Sequence, residues 1–516
     1  MPLRANSNNS SQKRFVLGFK RNKSYLVLAV IAMILQFSLF KFFYPFPNFI
    51  HGDSFIFLRA AYNNELISVH PIGYSKFLRL FSVFSTSALA LTAFQYLLIQ
   101  ASALAFIFTL SNFYRPGKVI EALLIAAMVL NPIFLHLANL ISSDGIFLSL
   151  SFIWLTLLLW ILHHPTPRLN VWHAIVLFLA FTVRYNALYY PPISIVVYIL
   201  SKQKLFDKLS GIGVGLALIG GFIYFTSLQY KAFIQTQVFS PFSGWQLANN
   251  ALYAYRRVDS AKRKPVPLKF QEIDGMVKTY LDSSKNLHND LMEMLEASTV
   301  YMWDPNSPLQ KFMIKKYSLD ISITDTAMRF YQRWASAGPF LDEYGSWLIK
   351  KYPFKFVENY LWPNTMKYFA PPTEFLSRYN MGRSTISPIA QTWFDLKTSK
   401  VKTKFHNNRA SSLAFYPIFS GLVNGLFIFC ILGFYFMVGF KQQTGLSRLV
   451  LLSGFLWLTN LIFSVFASPI ALRYQVFLIY SFLSISIIIF EFLYKRLSEK
   501  EKKAIIVRPN LGKLIN

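Results

Sequence analysis

Two carboxylates lie where apolar stretches of the sequence meet polar ones. Asp53 follows the first long apolar run, and Asp144 precedes the run 146–160. A carboxylate at such an edge is costly unless it is hydrated, paired or functional, and a well-placed one can act as a general base toward a hydroxyl or an amine. The structural alternative is a helix N-cap, with Asp53 beginning a helix over residues 54–62. For Asp144 taken alone, capping is the favoured interpretation.

Basic residues occupy comparable positions. Arg184 follows another apolar run, and Arg473 stands at the start of the last one. A guanidinium is always charged and presents a fork of donors that suits phosphate, so both are candidate phosphate-binding residues. The alternative is that each reaches lipid headgroups. Lys76 is a weaker candidate, because with Arg79 it fits a basic amphipathic interfacial helix over about residues 74–84.

The composition indicates that these charged residues belong to a membrane protein. The chain has 516 residues, of which 54% are hydrophobic and 15% are charged, whereas soluble domains carry about 25% charged residues. An ordinary soluble enzyme and a disordered chain are therefore excluded. The apolar residues fall in long runs, as membrane spans require.

The charge balance fits a membrane protein as well. Lys and Arg total 52 against 23 Asp and Glu, which gives a formal net charge of +29. Because the basic residues flank apolar runs, they indicate cytoplasmic loops beside anionic headgroups, and no nucleic-acid partner is predicted. The single cysteine, Cys430, lies inside an apolar run, so neither an intramolecular disulfide nor a cysteine-based metal site is expected.

Ten apolar runs are candidate membrane spans, since a span needs about 20 mostly apolar residues. The first is too long for a cleavable signal peptide and lacks a small-residue cleavage site. The sixth is short and begins at Pro191. The runs cover residues 24–43, 85–112, 119–138, 144–163, 170–188, 191–201, 209–229, 413–440, 447–468 and 473–494.

The distribution of Lys and Arg predicts the orientation. The N-terminal tail, the connections after the even-numbered spans and the C-terminal tail are basic, so both termini are expected in the cytoplasm. The opposite face then receives the segment 44–84 and the insertion 230–412. The expected organisation is a tail 1–23, a membrane module 24–229, an extracytoplasmic domain 230–412, C-terminal membrane helices 413–494 and a tail 495–516.

The insertion shows helical spacing of apolar residues over 277–296 and 347–362, with a break at Pro353. It has no regular β alternation. The predicted fold class is therefore an all-α polytopic membrane protein of about ten transmembrane helices with a mainly helical outer domain. The sequence contains no glycine-rich nucleotide loop, HExxH zinc motif or serine-hydrolase elbow.

Taken in chain order, these residues resemble the GT-C class of integral membrane glycosyltransferases, and among them the protein O-mannosyltransferases and the lipid A aminoarabinose transferases. Those families place an Asp shortly after the first span, which Asp53 matches. A His-Pro-x-x-Tyr-like element follows, which is matched from His70 to Tyr74. They also carry an Asp near the outer start of a later span, as at Asp144, and a basic residue near the outer ends of the last spans, as at Arg473.

The resemblance implies a GT-C-like fold, a polyprenyl-phosphate sugar donor whose lipid lies in the bilayer, and a lipid, glycan or protein acceptor. Asp53 is then the candidate general base, and Asp144 a second catalytic carboxylate that orients the base, the acceptor or a cation. No cofactor is predicted. A divalent metal helps some members of the class, but only these two acids stand out as hard ligands. The implied donor-phosphate residues are Arg184, Arg473 and Lys76, and the implied substrate-binding residues are His70, Tyr74, Asn186 and Tyr474.

Two other classes of function compete with this interpretation. A transporter or flippase for a lipid-linked saccharide would also need basic residues for a lipid phosphate, but it requires polar groups near the bilayer midplane. A structural or sensory membrane protein would leave Asp53, Asp144 and Arg473 unrelated in space. The expected location is a prokaryotic inner membrane.

Overall fold

A computed structural model of the protein describes residues 23–284, 297–405, 409–439 and 445–507. The N-terminal tail lies almost wholly outside these ranges, as do residues 508–516 of the C-terminal tail and the second half of the helix predicted over 277–296. The described residues form helices and contain no strand longer than an isolated bridge. The predicted all-α class is confirmed.

The helices are numbered in chain order. The α-helices are α1 (Lys23–Phe43), α2 (Asp53–Tyr62), α3 (Gly73–Ser82), α4 (Ala88–Tyr114), α5 (Lys118–Val129), α6 (Pro132–Ala138), α7 (Asp144–His163), α8 (Pro167–Val183), α9 (Tyr190–Leu200), α10 (Leu205–Ile234), α11 (Pro241–Tyr255), α12 (Gln271–Ser284), α13 (Val300–Trp303), α14 (Pro308–Lys316), α15 (Thr326–Lys351), α16 (Pro353–Phe356), α17 (Trp362–Phe369), α18 (Pro388–Trp393), α19 (Tyr416–Met437), α20 (Gly445–Ala467) and α21 (Leu472–Val507).

Among the described residues, eight helical segments are long and apolar enough to cross a membrane. They are Ser24–Phe43, Ala88–Tyr114, Lys118–Ala138, Asp144–His163, Leu205–Ile234, Ser411–Met437, Gly445–Ala467 and Leu472–Ser498. The remaining two of the ten expected spans are shorter helices, the 17-residue α8 and the 11-residue α9. The protein is thus an all-α polytopic membrane protein.

Helix α8 ends and α9 begins at a short segment whose backbone is not α-helical. Arg184 is extended and terminates α8. A short 3-10 turn, Tyr185–Tyr189, then leads into α9, whose first turn holds two prolines. Proline is tolerated there because the N–H groups of the first turn have no helical partner.

Two of the three most buried spans, α7 and α21, carry a charged residue at their start. In α4, α7 and α21 between 67% and 72% of the most apolar stretch is buried, against 17% for α1 and 22% for α10. Helices α4, α7 and α21 form the centre of the bundle, whereas α1 and α10 expose apolar faces suited to lipid. Asp144 begins α7 and Arg473 lies in the first turn of α21, so both charges sit at the centre of one end.

The first part of the insertion has its own helical core. It starts after Ile234, a few residues later than expected, because α10 continues to that point. Helices α11 and α15 pack with their backbones in contact, since a Cβ on Gly244 would lie 2.0 Å from the carbonyl oxygen of Gly338. The predicted break is confirmed, because α15 ends at Lys351 and α16 begins at Pro353.

The second part of the insertion lies on the segment that follows the first span. The Asn380 N–H donates to the Asn48 side chain at 2.6 Å, and the Lys404 N–H donates to the Phe43 carbonyl at 3.0 Å. Phe394 of this part packs in the same apolar cluster as Phe57 of α2. The insertion therefore combines a helical core with a strap that covers the first outer segment.

Candidate active site

Four charged residues from distant parts of the chain meet at one end of the bundle, and we call them the outer charge cluster: Asp53, Asp144, Arg184 and Arg473. The Arg473 guanidinium lies 3.3 Å from Asp144 and 3.5 Å from Asp53. Arg184 pairs directly with the other oxygen of Asp144. The formal charges of the two acids and the two guanidinium groups balance.

Asp144 is the buried counter-ion of this cluster. Its side chain is 1% exposed and contacts both guanidinium groups. The Ser142 hydroxyl also donates to it. The favoured expectation, that Asp144 caps α7, is wrong: the N-cap position is Ser143, and no side chain caps the helix. Burying a carboxylate so deeply is costly unless it is paired and hydrogen-bonded, and the two guanidinium groups and Ser142 supply those partners.

Asp53 faces the same cluster from the first outer segment. It begins α2 without capping it, because the N-cap is Gly52, at φ +99°, and no side-chain cap bond forms. One carboxylate oxygen lies 3.3 Å from His70 Nε2, and the side chain remains 27% exposed. Burial opposes ionisation of Asp53, but His70, Arg473 and Arg184 outweigh it and hold the pKa of its carboxyl well below the usual range.

Arg473 is the hub of the cluster, with a side chain only 7% exposed. Besides the two acids, it donates to the Tyr474 hydroxyl at 2.6 Å and lies 5.2 Å from the centre of the Phe375 ring. The guanidinium carbons of Arg184 and Arg473 lie 4.4 and 4.6 Å from the centre of the Tyr474 ring. The buried Nε–H of Arg473 has no hydrogen-bond acceptor among the described residues. A buried donor without an acceptor is costly, so it is a natural position for an oxygen of a ligand.

The other residues named from the sequence divide into two groups. His70 joins the cluster through Asp53, and Asn186 lies in the turn that follows Arg184. Tyr74 is fully buried and donates to Gln95 at 3.1 Å, so it packs behind the site and does not line it. Lys76 also lies apart, because its ammonium donates to Asn64 at 2.8 Å. The structure therefore offers no support for a substrate contact by Tyr74 or for phosphate binding by Lys76.

Backbone pairing holds the two acid-bearing segments together. The Asn48 N–H donates to the carbonyl of Asn139 at 2.7 Å, and the Ile141 N–H donates back to the Asn48 carbonyl at 2.9 Å. This short parallel bridge joins the segment just before Asp53 to the segment just before Asp144. It fixes the separation of the two carboxylates.

Asn364 of α17 fixes the position of Arg473 from the other side. Its amide donates to the carbonyls of Val465 and Ser468 at 2.8 and 2.9 Å, and its oxygen accepts from the Ile470 N–H at 3.0 Å. A single fully buried side chain thus joins the end of α20 to the turn before α21. The sequence does not single it out, because an asparagine in a helical stretch looks like an ordinary polar surface residue.

Sequence reasoning also missed Glu374 and Phe375, which follow α17. Phe375 lies against Arg473, and the charge of Glu374 interacts with Arg473 and Asp53. Burial raises the pKa of the Glu374 carboxyl, as does the charge of Asp53, although Arg473 and Lys367 oppose the shift. No motif marks the two residues, and only the three-dimensional path of the insertion brings them to the site.

No protein-family model, curated protein or solved structure matches the chain. Within the described ranges, no group of three or more His, Cys, Asp or Glu side chains is arranged to hold a metal ion.

Proposed function

We propose that the protein is a membrane glycosyltransferase of the GT-C type, which moves a sugar from a polyprenyl-phosphate donor to an acceptor at the extracytoplasmic face. The observation that carries the proposal is the outer charge cluster. Residues more than 400 positions apart in the chain, such as Asp53 and Arg473, lie within 3.5 Å of each other. They do so at one end of a membrane bundle, beside a large polar domain, where a lipid-linked substrate and a water-soluble partner can meet.

The two arginines are the proposed site of the donor phosphate. Guanidinium groups bind phosphate oxygens in a bidentate fashion and stabilise the charge that develops on a departing phosphate. Arg473 offers its unpartnered Nε–H, and Arg184 is 13% exposed. Asp144 holds both cations in place.

Asp53 is the candidate general base that the sequence predicts. Its low pKa makes it a weak base while it is paired with Arg473. In this role it depends on the donor: a phosphate that pairs with Arg473 removes one of the groups that lower the pKa of Asp53, and the basicity of Asp53 rises.

The proposed reaction is a direct displacement. The acceptor oxygen or nitrogen bonds to the anomeric carbon as its proton moves to the base. The bond between that carbon and the phosphate oxygen breaks, and its electron pair leaves with the polyprenyl phosphate. A single displacement inverts the anomeric centre and needs no covalent enzyme intermediate.

The proposed setting is a prokaryotic inner membrane with both termini in the cytoplasm. Single cysteines introduced into the insertion of a Cys430→Ser protein test this orientation. We expect a membrane-impermeant maleimide to label them from outside in intact cells. Labelling from the cytoplasmic side alone would overturn the assignment.

The activity is tested by supplying purified protein with a panel of polyprenyl-phosphate sugars and measuring the release of polyprenyl phosphate. The expected result is release that depends on the sugar, on an added acceptor and on Arg473. If reconstituted vesicles instead move the intact lipid-linked saccharide across the bilayer without cleaving it, the transferase proposal is wrong and a flippase is indicated.

A further inference from the structure

Residues 353–369 of the insertion form one helical segment, which we call the 353–369 helix. It consists of α16, a wide π turn over Val357–Leu361 and α17. One face is buried, and its side chains recur every fourth residue: Phe356, Tyr360, Asn364 and Tyr368. The opposite face exposes large apolar side chains: Phe354 at 86%, Trp362 at 61%, Val357 and Met366. A helix with apolar residues on its exposed face as well as its buried face fits a membrane better than water.

Ring contacts with α20 show how this helix runs along a membrane span. Near its start, the ring centre of Phe356 lies 6.1 Å from that of Phe466, one residue before the end of α20. At its end, the rings of Tyr368 and Phe369 lie 6.3 and 6.5 Å from Trp457. Phe466 and Trp457 are separated by about 14 Å along α20 at the helical rise of 1.5 Å per residue. The 353–369 helix therefore runs beside α20, away from the end that leads to Arg473.

A contact with α19 places the end of the helix inside the bundle independently. A Cβ on Gly421 would lie 3.4 Å from the carbonyl oxygen of Phe369. Because α19 and α20 are consecutive spans, α19 begins, at Tyr416, at the end of the bundle where α20 finishes. Phe369 thus lies about 8 Å below the start of α19, and its contact on α20, Trp457, lies about 15 Å below the end of that span. These depths fall within one half of a hydrocarbon layer about 30 Å thick.

The exposed face of the helix continues the lipid-facing surface of the two spans. On α20, Ile462 and Phe466 are exposed between the level of Trp457 and the end of the span. On α19, Ile418 and Leu422 are exposed on either side of Gly421. The bilayer covers such side chains on a span. Trp362 and Met366, at the same levels, therefore face acyl chains as well.

Charged residues mark the other end of the helix. Lys350 and Lys351 are exposed in the last turn of α15, just before the helix begins. The single acid of the helix, Glu358, pairs with Lys355 at 2.9 Å, in the first half of the helix. Lysine side chains near the ends of membrane-embedded helices reach headgroup phosphates. The lysines thus indicate the headgroup level, and the second half of the helix lies below it.

We propose that the 353–369 helix is re-entrant: it enters the leaflet at the end of the bundle that carries the outer charge cluster, and its exposed face binds acyl chains. A helix can do so because it satisfies its backbone hydrogen bonds internally. The insertion is then partly a membrane domain. Asn364, on the buried face of the same helix, holds the turn before α21. The lipid-contacting helix is therefore the one that positions Arg473. The proposal does not depend on the reaction that the protein catalyses.

The test places nitroxide spin labels on single cysteines in a Cys430→Ser protein in nanodiscs. The ratio of collisions with oxygen, which concentrates in hydrocarbon, to collisions with a water-soluble nickel chelate reports the depth of each label. Labels at Trp362→Cys and Met366→Cys should favour oxygen as strongly as a label at Ile462→Cys in α20. A label at Leu268→Cys, an exposed apolar position of the same insertion, should favour the chelate. The label at position 366 should lie about 10 Å deeper than one at Phe354→Cys.

Collisions with the chelate as frequent at positions 362 and 366 as at position 268 would overturn the proposal, because that face would then lie in water. Labels shielded from both reagents would also overturn it, since a protein surface would then cover the face. Should Trp362→Cys fail to fold, Met366→Cys decides alone. The measurement needs no substrate, so a protein that transfers no sugar would leave this inference standing.

Discussion

Arg473→Lys keeps the positive charge of the cluster and removes its fork of donors. The guanidinium uses Nη1 for Asp144 and Nη2 for Tyr474 and Asp53, which leaves Nε for a phosphate oxygen. A lysine ammonium has one nitrogen and cannot satisfy the two acids and a phosphate from one position. At least one charge-assisted hydrogen bond is lost, which is worth about 1.5–3 kcal/mol.

This loss corresponds to a donor affinity about 10- to 150-fold weaker than that of the wild type. The assay is a titration of a polyprenyl-phosphate sugar into purified protein in nanodiscs. Arg79→Lys is the matched control, since Arg79 is exposed and donates to the Ala61 and Tyr62 carbonyls, which an ammonium can also reach. If Arg473→Lys binds the donor as tightly as the control does, Arg473 does not use its fork on the phosphate and the reasoning is refuted.

Three further predictions concern the scaffold of the site. Asp144→Ala leaves two guanidinium groups without their buried partner and should destabilise the protein by about 3–5 kcal/mol, seen as a lower thermal midpoint in detergent; an unchanged midpoint would contradict the counter-ion role. Asn364→Ala leaves a buried N–H and carbonyls unpaired, so it should cost about 1–3 kcal/mol and weaken donor binding, and normal donor binding would show that it does not position Arg473. The lowered pKa of Asp53 means that its ionised form stabilises the fold above pH about 4 and that this contribution is lost as pH falls further. Asp53→Asn should therefore lower the midpoint at pH 7 and abolish transfer, with a flatter acid dependence than the wild type, and an identical acid profile would contradict the ion pairs.

The features that follow from local sequence were predictable. Long apolar runs define eight spans without any knowledge of packing, because about 20 apolar residues are needed to cross the hydrocarbon layer. The break at Pro353 and the helix of residues 54–62 also follow from local chemistry. The span expected over 170–188 continued past the end of α8 at Val183, because hydropathy does not show where a helix ends at an extended residue such as Arg184, whereas the short span expected over 191–201 matches α9 in length.

The pairing inside the site was only partly predictable. Charges at the edges of apolar runs drew attention to Asp53, Asp144, Arg184 and Arg473, since such positions are costly without a partner. The residues next to Asp144 in the sequence favoured capping, because they do not reveal the two guanidinium groups that other parts of the chain bring into contact with it. Glu374 was missed for the same reason, since its position depends entirely on the path of the strap.

The central claim is that the outer charge cluster recognises a lipid phosphate. The most direct measurement compares the binding of polyprenyl phosphate and of the corresponding polyprenol to wild-type protein and to Arg473→Gln in nanodiscs, with Lys76→Gln as a control apart from the cluster. The account predicts that the wild type and the control prefer the phosphate by at least about tenfold and that Arg473→Gln loses the preference. Equal binding of the two lipids by the wild type, or a preference that survives in Arg473→Gln, would contradict it.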